Sequence, residues 1–185
     1  MVEFRALENL DLADLIRVAS GYSSASKYEV EYNDAPGSVT FELRLVELEQ
    51  PYVREYDHLD AATAERYQSF LPQGYSFGAY DDGVLIGIAI AEEQSWNRTL
   101  WMYEFHIAES HRGQGVGRQL MEHGAERAAT SGLRTIVCET QNTNAGAIDF
   151  YRRIGFRIEG IDLSLYKNTD YPDGEIALFL KRRLL

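Results

Sequence analysis

A glycine-rich turn between a predicted strand and a predicted helix constrains this chain more than any other feature. Residues 111–117 read H-R-G-Q-G-V-G. The alternating apolar run at 100–108 predicts a strand before the turn, and the amphipathic pattern at 116–129 predicts a helix after it. Glycine lets the backbone approach a ligand closely, and the free N–H groups of a first helical turn attract anions. This order of elements therefore predicts a phosphate or pyrophosphate site.

Two common phosphate-binding motifs do not fit this turn. No Lys-Ser or Lys-Thr follows the glycines, which excludes a P-loop. The G-x-G-x-G spacing and the late position in the chain disfavour a dinucleotide fingerprint. A turn that only joins a strand to a helix is the remaining alternative. It is the weaker one, because Arg112 and Arg118 flank the glycines and can bind phosphate by charge-assisted hydrogen bonds.

The segments that follow the turn restrict its ligand further. Residues 134–140 predict a buried strand, residues 142–144 a helix start, and Gly155 the end of that helix before another strand. With these segments in place, the chain resembles the GNAT superfamily of acetyl-CoA-dependent N-acetyltransferases. The resemblance is carried, in matching order and spacing, by R-G-Q-G-V-G at 112–117, Asn144, and A-x-x-F-Y-R-R-I-G-F at 147–156.

Within that superfamily the chain is most similar to the streptothricin acetyltransferases. The similarity is carried by Ser95 to Arg98, Glu104, 111–117, Asn144, Tyr151 to Arg153, Gly160 to Tyr166 and Asp173 to Leu178. It covers the C-terminal half and thins before about Ser76. It implies acetylation of a primary amine on a cationic antibiotic, which would inactivate the drug. Acetylation of a polyamine or peptide amine, and a non-catalytic acyl-CoA-binding module, are the alternatives.

The resemblance also implies the fold. We expect an α/β domain in which helices flank a mixed central β-sheet, with two central parallel strands that splay apart. A single domain is expected over residues 1–185, and a homodimer by analogy with the family.

Periodicity and turn residues predict the elements of the N-terminal half. They predict a strand at 2–6, a helix from Asn9 or Asp11 to about Ala19, a strand at 38–48, a helix at 57–70, and a hairpin of 75–80 with 84–90. Inward positions are expected at Leu10, Leu12, Leu15, Ile16 and Val18 of the first helix, and at Leu59, Ala62, Tyr67 and Phe70 of the second. Residues 21–37 are polar and are expected to be irregular.

The resemblance assigns residues to acetyl-CoA. The backbone amides around Phe105, His106 and Ile107 would hold the pantetheine and polarise the thioester carbonyl. The turn would hold the pyrophosphate through Arg112, Gly113, Gln114, Gly115, Val116, Gly117 and Arg118. Asn144 and Tyr151 would touch the cofactor arm, and Asn144 is equally suited to cap its helix.

The chemistry requires proton transfers, because an alkyl ammonium group has a pKa of about 10.4 and is no nucleophile while protonated. Glu104 is the candidate base or ammonium binder, and burial would raise its pKa towards that of a useful base. Strand alternation puts Glu104 and His106 on one face, with Tyr103 on the other. His106 could also act as the base, but the resemblance does not require it. Tyr151 is the candidate acid for the leaving thiolate, or an aromatic packed inside.

Substrate contacts are expected at a smaller set of positions. Trp96, Glu104, Asp162 and Tyr166 are the candidates, and acidic residues such as Glu175 near the last hairpin could attract a polycation. Each of those charges is individually more typical of a solvated loop.

Composition limits the class of protein. The formal net charge of −11 disfavours nucleic acid and permits a cationic substrate. The single cysteine, Cys138, lies in an apolar strand and predicts a buried side chain without an internal disulfide. Neither a signal peptide nor a membrane-spanning run is expected, which favours the cytoplasm. No metal is expected, since His111 lacks a second ligand at suitable spacing.

Overall fold

The computed structural model describes residues 1–184 and divides into two compact units. Within the described residues, the first unit comprises Met1–Gly21, Glu55–Cys138 and 182–184, and the second comprises Tyr22–Arg54 and Glu139–Lys181. The single domain expected over residues 1–185 stays a prediction.

Nine strands and four α-helices are found within residues 1–184. The strands are β1 (Glu3–Ala6), β2 (Tyr22–Ala35), β3 (Ser38–Arg54), β4 (Phe77–Asp81), β5 (Val84–Gln94), β6 (Thr99–Ile107), β7 (Thr135–Gln141), β8 (Arg157–Asp162) and β9 (Ala177–Arg183). The helices are α1 (Leu12–Val18), α2 (Ala61–Gln68), α3 (Val116–Thr130) and α4 (Ala145–Arg153), with short 3-10 helices at Leu71–Gln73 and Glu109–His111.

The first unit contains a mixed sheet with the strand order β1-β4-β5-β6-β7. The pairs from β1 to β6 are antiparallel, and β6 runs parallel to β7 where Thr99–Met102 face Thr135–Cys138. The predicted α/β fold with a mixed central sheet is thus confirmed. The predicted splaying of β6 and β7 beyond these residues stays a prediction.

Helices α1 and α2 pack on the sheet of the first unit and form its core. Leu15 and Val18 of α1 join Tyr67 of α2 and Ile88 of β5 in one buried apolar cluster. Asp11 begins α1 by accepting a hydrogen bond from the Ala13 amide at 2.7 Å, as the sequence predicts. Ile16 was expected inside but is 50% exposed, because it lies about 100° around the helix from Leu15.

A β-bulge interrupts β6 just before its polar residues. Ile90 faces Glu104 while Ala91 faces Met102, so Tyr103 is the extra residue. Simple alternation placed Tyr103 on the face opposite Glu104, and this prediction is wrong. The Tyr103 ring lies 6.1 Å from the Tyr67 ring, and the Tyr67 hydroxyl bonds Glu104. The bulge therefore turns both side chains towards α2.

The second unit corrects the expectation that residues 21–37 are irregular. β2 pairs antiparallel with β3 from Tyr22 opposite Arg54 to Ala35 opposite Ser38. The missed signal is the alternation of aromatic or aliphatic with charged residues at 28–32, followed by Pro36-Gly37 as a turn. The same unit holds α4 and the antiparallel pair of β8 with β9.

Cys138 is 1% exposed, which confirms its predicted burial. Within residues 1–184, no helix combines the length and the apolar composition that crossing a membrane requires.

Candidate active site

The phosphate turn, residues 112–118, leads from β6 into α3. Gly113 and Gly115 have φ angles of +74° and +84°, a left-handed conformation that favours glycine. A Cβ atom at either position would have no neighbour within 4 Å, so open space lies against the turn. Gly115 caps α3 without a side-chain hydrogen bond, and the amides of Val116 to Arg118 lack helical acceptors. These donors fit the pyrophosphate of a coenzyme.

The two arginines that flank the turn have different surroundings. Arg112 donates from Nε to the Ile107 carbonyl at 2.9 Å and from Nη2 to the Gly21 carbonyl at 3.2 Å. Its guanidinium therefore braces the backbone on both sides. Arg118 is exposed, and its side chain makes no hydrogen bond to residues 1–184. The Arg118 guanidinium is therefore the more available of the two, and pyrophosphate contacts by Arg112 and Arg118 stay predictions.

An open cavity of about 570 Å³ lies beside this turn in the first unit. It is lined by Arg17, Ser20, Ala108, Glu109 and Ser110. The turn itself is held by Gln114, whose side chain donates to the Ser110 carbonyl at 2.8 Å. His111 lies 3.6 Å from the Asp81 carboxylate, which ties the turn to the β4–β5 hairpin.

On β6, before the turn, the buried residue Glu104 is the centre of a polar group that we call the Glu104 cluster: Glu104, His106, His58 and Tyr67. Its carboxylate is 5% exposed. Oε1 accepts hydrogen bonds from the Tyr67 hydroxyl at 2.7 Å and from His58 Nε2 at 3.1 Å. Oε2 accepts one from His106 Nε2 at 2.6 Å. The predicted common face of Glu104 and His106 is confirmed.

These donors reverse the expected acidity of Glu104. Burial alone would raise the pKa of this carboxyl group. The hydrogen bonds from His106 and His58, the charge of His106 and the hydrogen bond from Tyr67 outweigh it and lower the pKa to about 2. The prediction that burial raises the pKa of Glu104 towards that of a useful base is therefore wrong, because the net shift is downward. A carboxylate this acidic holds a proton too weakly to remove one from an ammonium group at neutral pH.

Sequence reasoning missed part of this cluster. His58 lies between β3 and α2, although the sequence pattern predicts it inside a helix at 57–70, and that pattern gives no sign of its bond to Glu104. The Tyr56 ring packs edge-on against the His106 ring, with centroids 5.2 Å apart. Tyr67 was correctly expected to point inward, but its hydrogen bond to a carboxylate was not anticipated.

Two predicted cofactor residues lie in the second unit. Asn144 caps α4 by accepting a hydrogen bond from the Ala147 amide at 3.1 Å, which confirms its capping role. Tyr151 is 6% exposed, and its ring packs 5.4 Å from Phe150 and 5.3 Å from Phe156. Packing is thus one function of Tyr151. Its contact with the cofactor and its role as the acid stay predictions.

The predicted substrate residue Trp96 is not brought to Glu104. It lies in the turn before β6 and is 85% exposed. Thr99 and Glu104 are five residues apart on one strand, which is about 17 Å at the usual rise per residue. Trp96 therefore lies at the end of β6 opposite the phosphate turn, and the structure gives no support to a shared site.

The other substrate candidates belong to the second unit. Asp162 accepts a hydrogen bond from the Ser164 amide at 2.9 Å. Tyr166 donates its hydroxyl to Glu139, and burial together with that carboxylate raises the pKa of Tyr166. Substrate contacts by Asp162 and Tyr166 stay predictions.

Glu175, one of the acidic residues near the last hairpin, is already neutralised. It forms an ion pair with Arg54 and accepts a hydrogen bond from the Tyr52 hydroxyl at 3.0 Å. Its side chain is only 14% exposed. Sequence reasoning did not foresee Arg54, whose guanidinium leaves Glu175 little charge with which to attract a polycation. Among residues 1–184, no group of three or more His, Cys, Asp or Glu side chains is arranged to hold a metal ion.

Comparisons with known proteins agree with this geometry. Residues 41–156 match the Acetyltransferase (GNAT) family. The streptothricin acetyltransferase of Streptomyces lavendulae is 33% identical over 96% of this chain and 93% of its own length. The structure of a nourseothricin acetyltransferase superposes with a TM-score of 0.77 at 30% identity, covering 100% of this chain and 99% of the other.

A protein from Bacillus anthracis str. Ames, solved in complex with acetyl coenzyme A, has the same fold. Its TM-score is 0.76 at 20% identity, with 99% of both chains covered. The resemblance that the phosphate turn, Asn144 and the 147–156 segment carried is confirmed by the family match and the near-full-length relative. The chain belongs to the acetyltransferase (GNAT) family and is an N-acetyltransferase whose acetyl donor is acetyl-CoA.

Proposed function

We propose that this enzyme transfers an acetyl group from acetyl-CoA to a primary amine of a streptothricin-type antibiotic and so inactivates it. The near-full-length similarity to the Streptomyces lavendulae enzyme carries this proposal. The formal net charge of −11 supports a cationic substrate, because an acidic field raises the on-rate of cations. Acetylation removes both the charge and the nucleophilicity of the amine.

The turn and the strand before it would position the acetyl donor. The amides of Val116 to Arg118 would bind the pyrophosphate, with Arg118 supplying an exposed positive charge. The backbone of Phe105 to Ile107 would align the pantetheine arm and polarise the thioester carbonyl. Asn144 would contact the cofactor arm, and the amine would attack the thioester directly, without a covalent acyl-enzyme.

Tyr151 would then protonate the departing thiolate. A phenol that donates its proton as the C–S bond breaks stabilises the leaving thiolate. Tyr151→Phe keeps the ring packing against Phe150 and Phe156 and removes only the hydroxyl. We expect unchanged affinity for acetyl-CoA and a lower turnover rate. An unchanged rate would remove the acid role.

The function is tested with an amine panel. Purified enzyme and acetyl-CoA are incubated with a streptothricin, with spermidine, or with a peptide that has a free N-terminal amine. Thiol release and product mass are measured. Acetylation of the streptothricin is the expected result. Acetylation of spermidine or peptide alone would replace the antibiotic with another amine, and cofactor binding without any product would indicate a non-catalytic acyl-CoA-binding module.

A further inference from the structure

The hydrogen bonds of Glu104 occupy three of the about four lone-pair sites of this buried carboxylate. Oε1 already accepts from Tyr67 and His58, and Oε2 accepts from His106. Because an ionised carboxylate only accepts hydrogen bonds, both histidines must direct a protonated Nε2 at it. In the neutral tautomer, the other ring nitrogen, Nδ1, then carries a lone pair.

We propose that His106 is the general base of the acetyl transfer, acting through Nδ1, and that Glu104 is a positioning residue that fixes its tautomer and stabilises the imidazolium. This inference rests on the proposed function, since it assigns a role within that reaction. His106 Nδ1 makes no hydrogen bond to residues 1–184. The arrangement follows the logic of any carboxylate–imidazole pair in which the buried carboxylate orients the ring and is not itself protonated.

His106 is favoured over His58 by how each ring is held. His106 lies on β6 next to the backbone proposed to hold the thioester, its side chain is 13% exposed, and its bond to Glu104 is 2.6 Å. His58 lies on the segment between β3 and α2, is 46% exposed, and is 3.1 Å from Glu104. A base that is held in one orientation by a strand and a short hydrogen bond loses less conformational entropy on reaching the transition state.

The proton and electron balance is complete without another reactant. His106 Nδ1 takes one proton from the substrate ammonium group, and the freed amine lone pair forms the C–N bond to the thioester carbon. The C–S bond then breaks, and its electron pair leaves on sulfur. The second proton lost by the nitrogen ends on the thiolate, relayed by Tyr151, and the imidazolium releases its proton to solvent.

The groups around the ring determine how this base depends on pH. Glu104 is the charged neighbour on β6, His58 and Tyr56 approach from the segment before α2, and Tyr67 of α2 reaches Glu104. The rate should fall at acidic pH, which gives the pH profile an acidic limb, because an imidazole that is already protonated cannot accept a proton from the substrate. Removing the Glu104 charge should move this limb to lower pH, because the imidazolium loses its stabilising partner.

The test compares His106→Gln, His58→Gln and His123→Gln under conditions in which the parent acetylates its amine. A glutamine amide at 106 can still donate to Glu104 but cannot accept a proton from the substrate. His123 stacks against Phe4 and Phe77, away from the cluster, and serves as the control. We measure kcat/KM from pH 5.5 to 9, the acetyl-CoA affinity by calorimetry, and the thermal midpoint.

We expect His106→Gln to lower kcat/KM by about 10²- to 10⁴-fold, with the acidic limb lost and acetyl-CoA affinity retained. His58→Gln should lose less than about 10-fold and keep the limb, and Glu104→Gln should shift the limb to lower pH. A His106→Gln enzyme within about 3-fold of the parent, or a larger loss in His58→Gln, overturns the assignment of the base alone. A parent that acetylates no amine in the panel overturns the proposed function and the base assignment together.

Discussion

The phosphate turn and Glu104 are close in sequence, but the polar groups of the turn are unpaired whereas those of the Glu104 cluster are paired. At the turn, backbone donors at an exposed helix end have no helical acceptors. In the cluster, both oxygens of a buried carboxylate are already paired. The turn is therefore built to receive a ligand, whereas the cluster is built to stay fixed. Substitutions at the turn should alter binding, and substitutions in the cluster should alter stability and acid–base behaviour.

The largest effect is expected from Gly115→Val. Its φ of +84° is unfavourable for a β-branched residue, and the new side chain would occupy the space over the turn. Losing two charge-assisted hydrogen bonds to phosphate would weaken acetyl-CoA binding by at least about 100-fold. Calorimetric titration with acetyl-CoA measures this change.

The control for that substitution is Gly37→Val. Gly37 has a φ of +83°, and a Cβ there likewise meets nothing within 4 Å. Both variants should lose similar thermal stability from backbone strain, of about 1–2 kcal/mol, but only Gly115→Val should lose cofactor affinity. Equal affinity in the two variants would contradict the function of the turn.

The next largest effect, a loss of free energy of unfolding, is expected from Glu104→Gln. Glu122→Gln serves as its control. Glu122 forms a two-bond ion pair with Arg182, both bonds 2.8 Å, but is 41% exposed. Replacing the buried carboxylate should cost about 3 kcal/mol at pH 7, because its donors lose a charged acceptor. The exposed pair should cost about 1 kcal/mol or less. Urea unfolding of the three proteins gives both values.

The pH dependence of that difference has a definite sign. The folded-state pKa of Glu104, about 2, lies below its ordinary 4.5, so ionised Glu104 stabilises the fold above pH 4.5. This contribution is lost as pH falls from 4.5 towards 2, and glutamine has no such dependence. The difference in free energy of unfolding between the parent and Glu104→Gln, called the gap below, should therefore narrow below pH 4.5. A gap that stays constant from pH 7 to pH 3 would show that Glu104 has an ordinary pKa.

The same contrast explains what could be read from the sequence. The turn depends on backbone geometry. The glycines at 113 and 115 predict it directly, and so do the strand and helix periodicities on either side of it. The acidity of Glu104 could not be predicted, because its donors His58 and Tyr67 lie more than 35 residues away in the chain. Even the faces of β6 were misjudged at Tyr103, since a single bulge residue breaks the alternation.

A smaller effect on stability is expected when the two arginines of the turn are each replaced by lysine, and it should differ between them. Arg112 uses its fork to bridge the Ile107 and Gly21 carbonyls, a geometry that one ammonium group cannot reproduce. Arg112→Lys should lower the free energy of unfolding by about 1–1.5 kcal/mol, because one of the two carbonyls loses its donor. Arg118→Lys should leave the thermal midpoint unchanged, because Arg118 is exposed and acts only through its charge. Equal thermal midpoints for the two variants would contradict the bracing role of Arg112.

The smallest effect on the free energy of unfolding is expected from Tyr67→Phe. This substitution removes one hydrogen-bond donor from the Glu104 cluster and keeps the aromatic ring. Tyr75→Phe is the matched control: both tyrosines are 5% exposed, but the Tyr75 hydroxyl donates to Glu93 outside the cluster, at 3.0 Å. Losing the 2.7 Å bond should cost about 1 kcal/mol and raise the pKa of Glu104 from about 2 towards 4.5. The unfolding free energy of Tyr67→Phe should then change less between pH 7 and pH 3 than that of the parent or of Tyr75→Phe. If Tyr67→Phe keeps the parent's pH dependence, the two histidines alone stabilise the charge of Glu104. The Tyr67 hydroxyl would then have no part in setting the pKa of this carboxyl group.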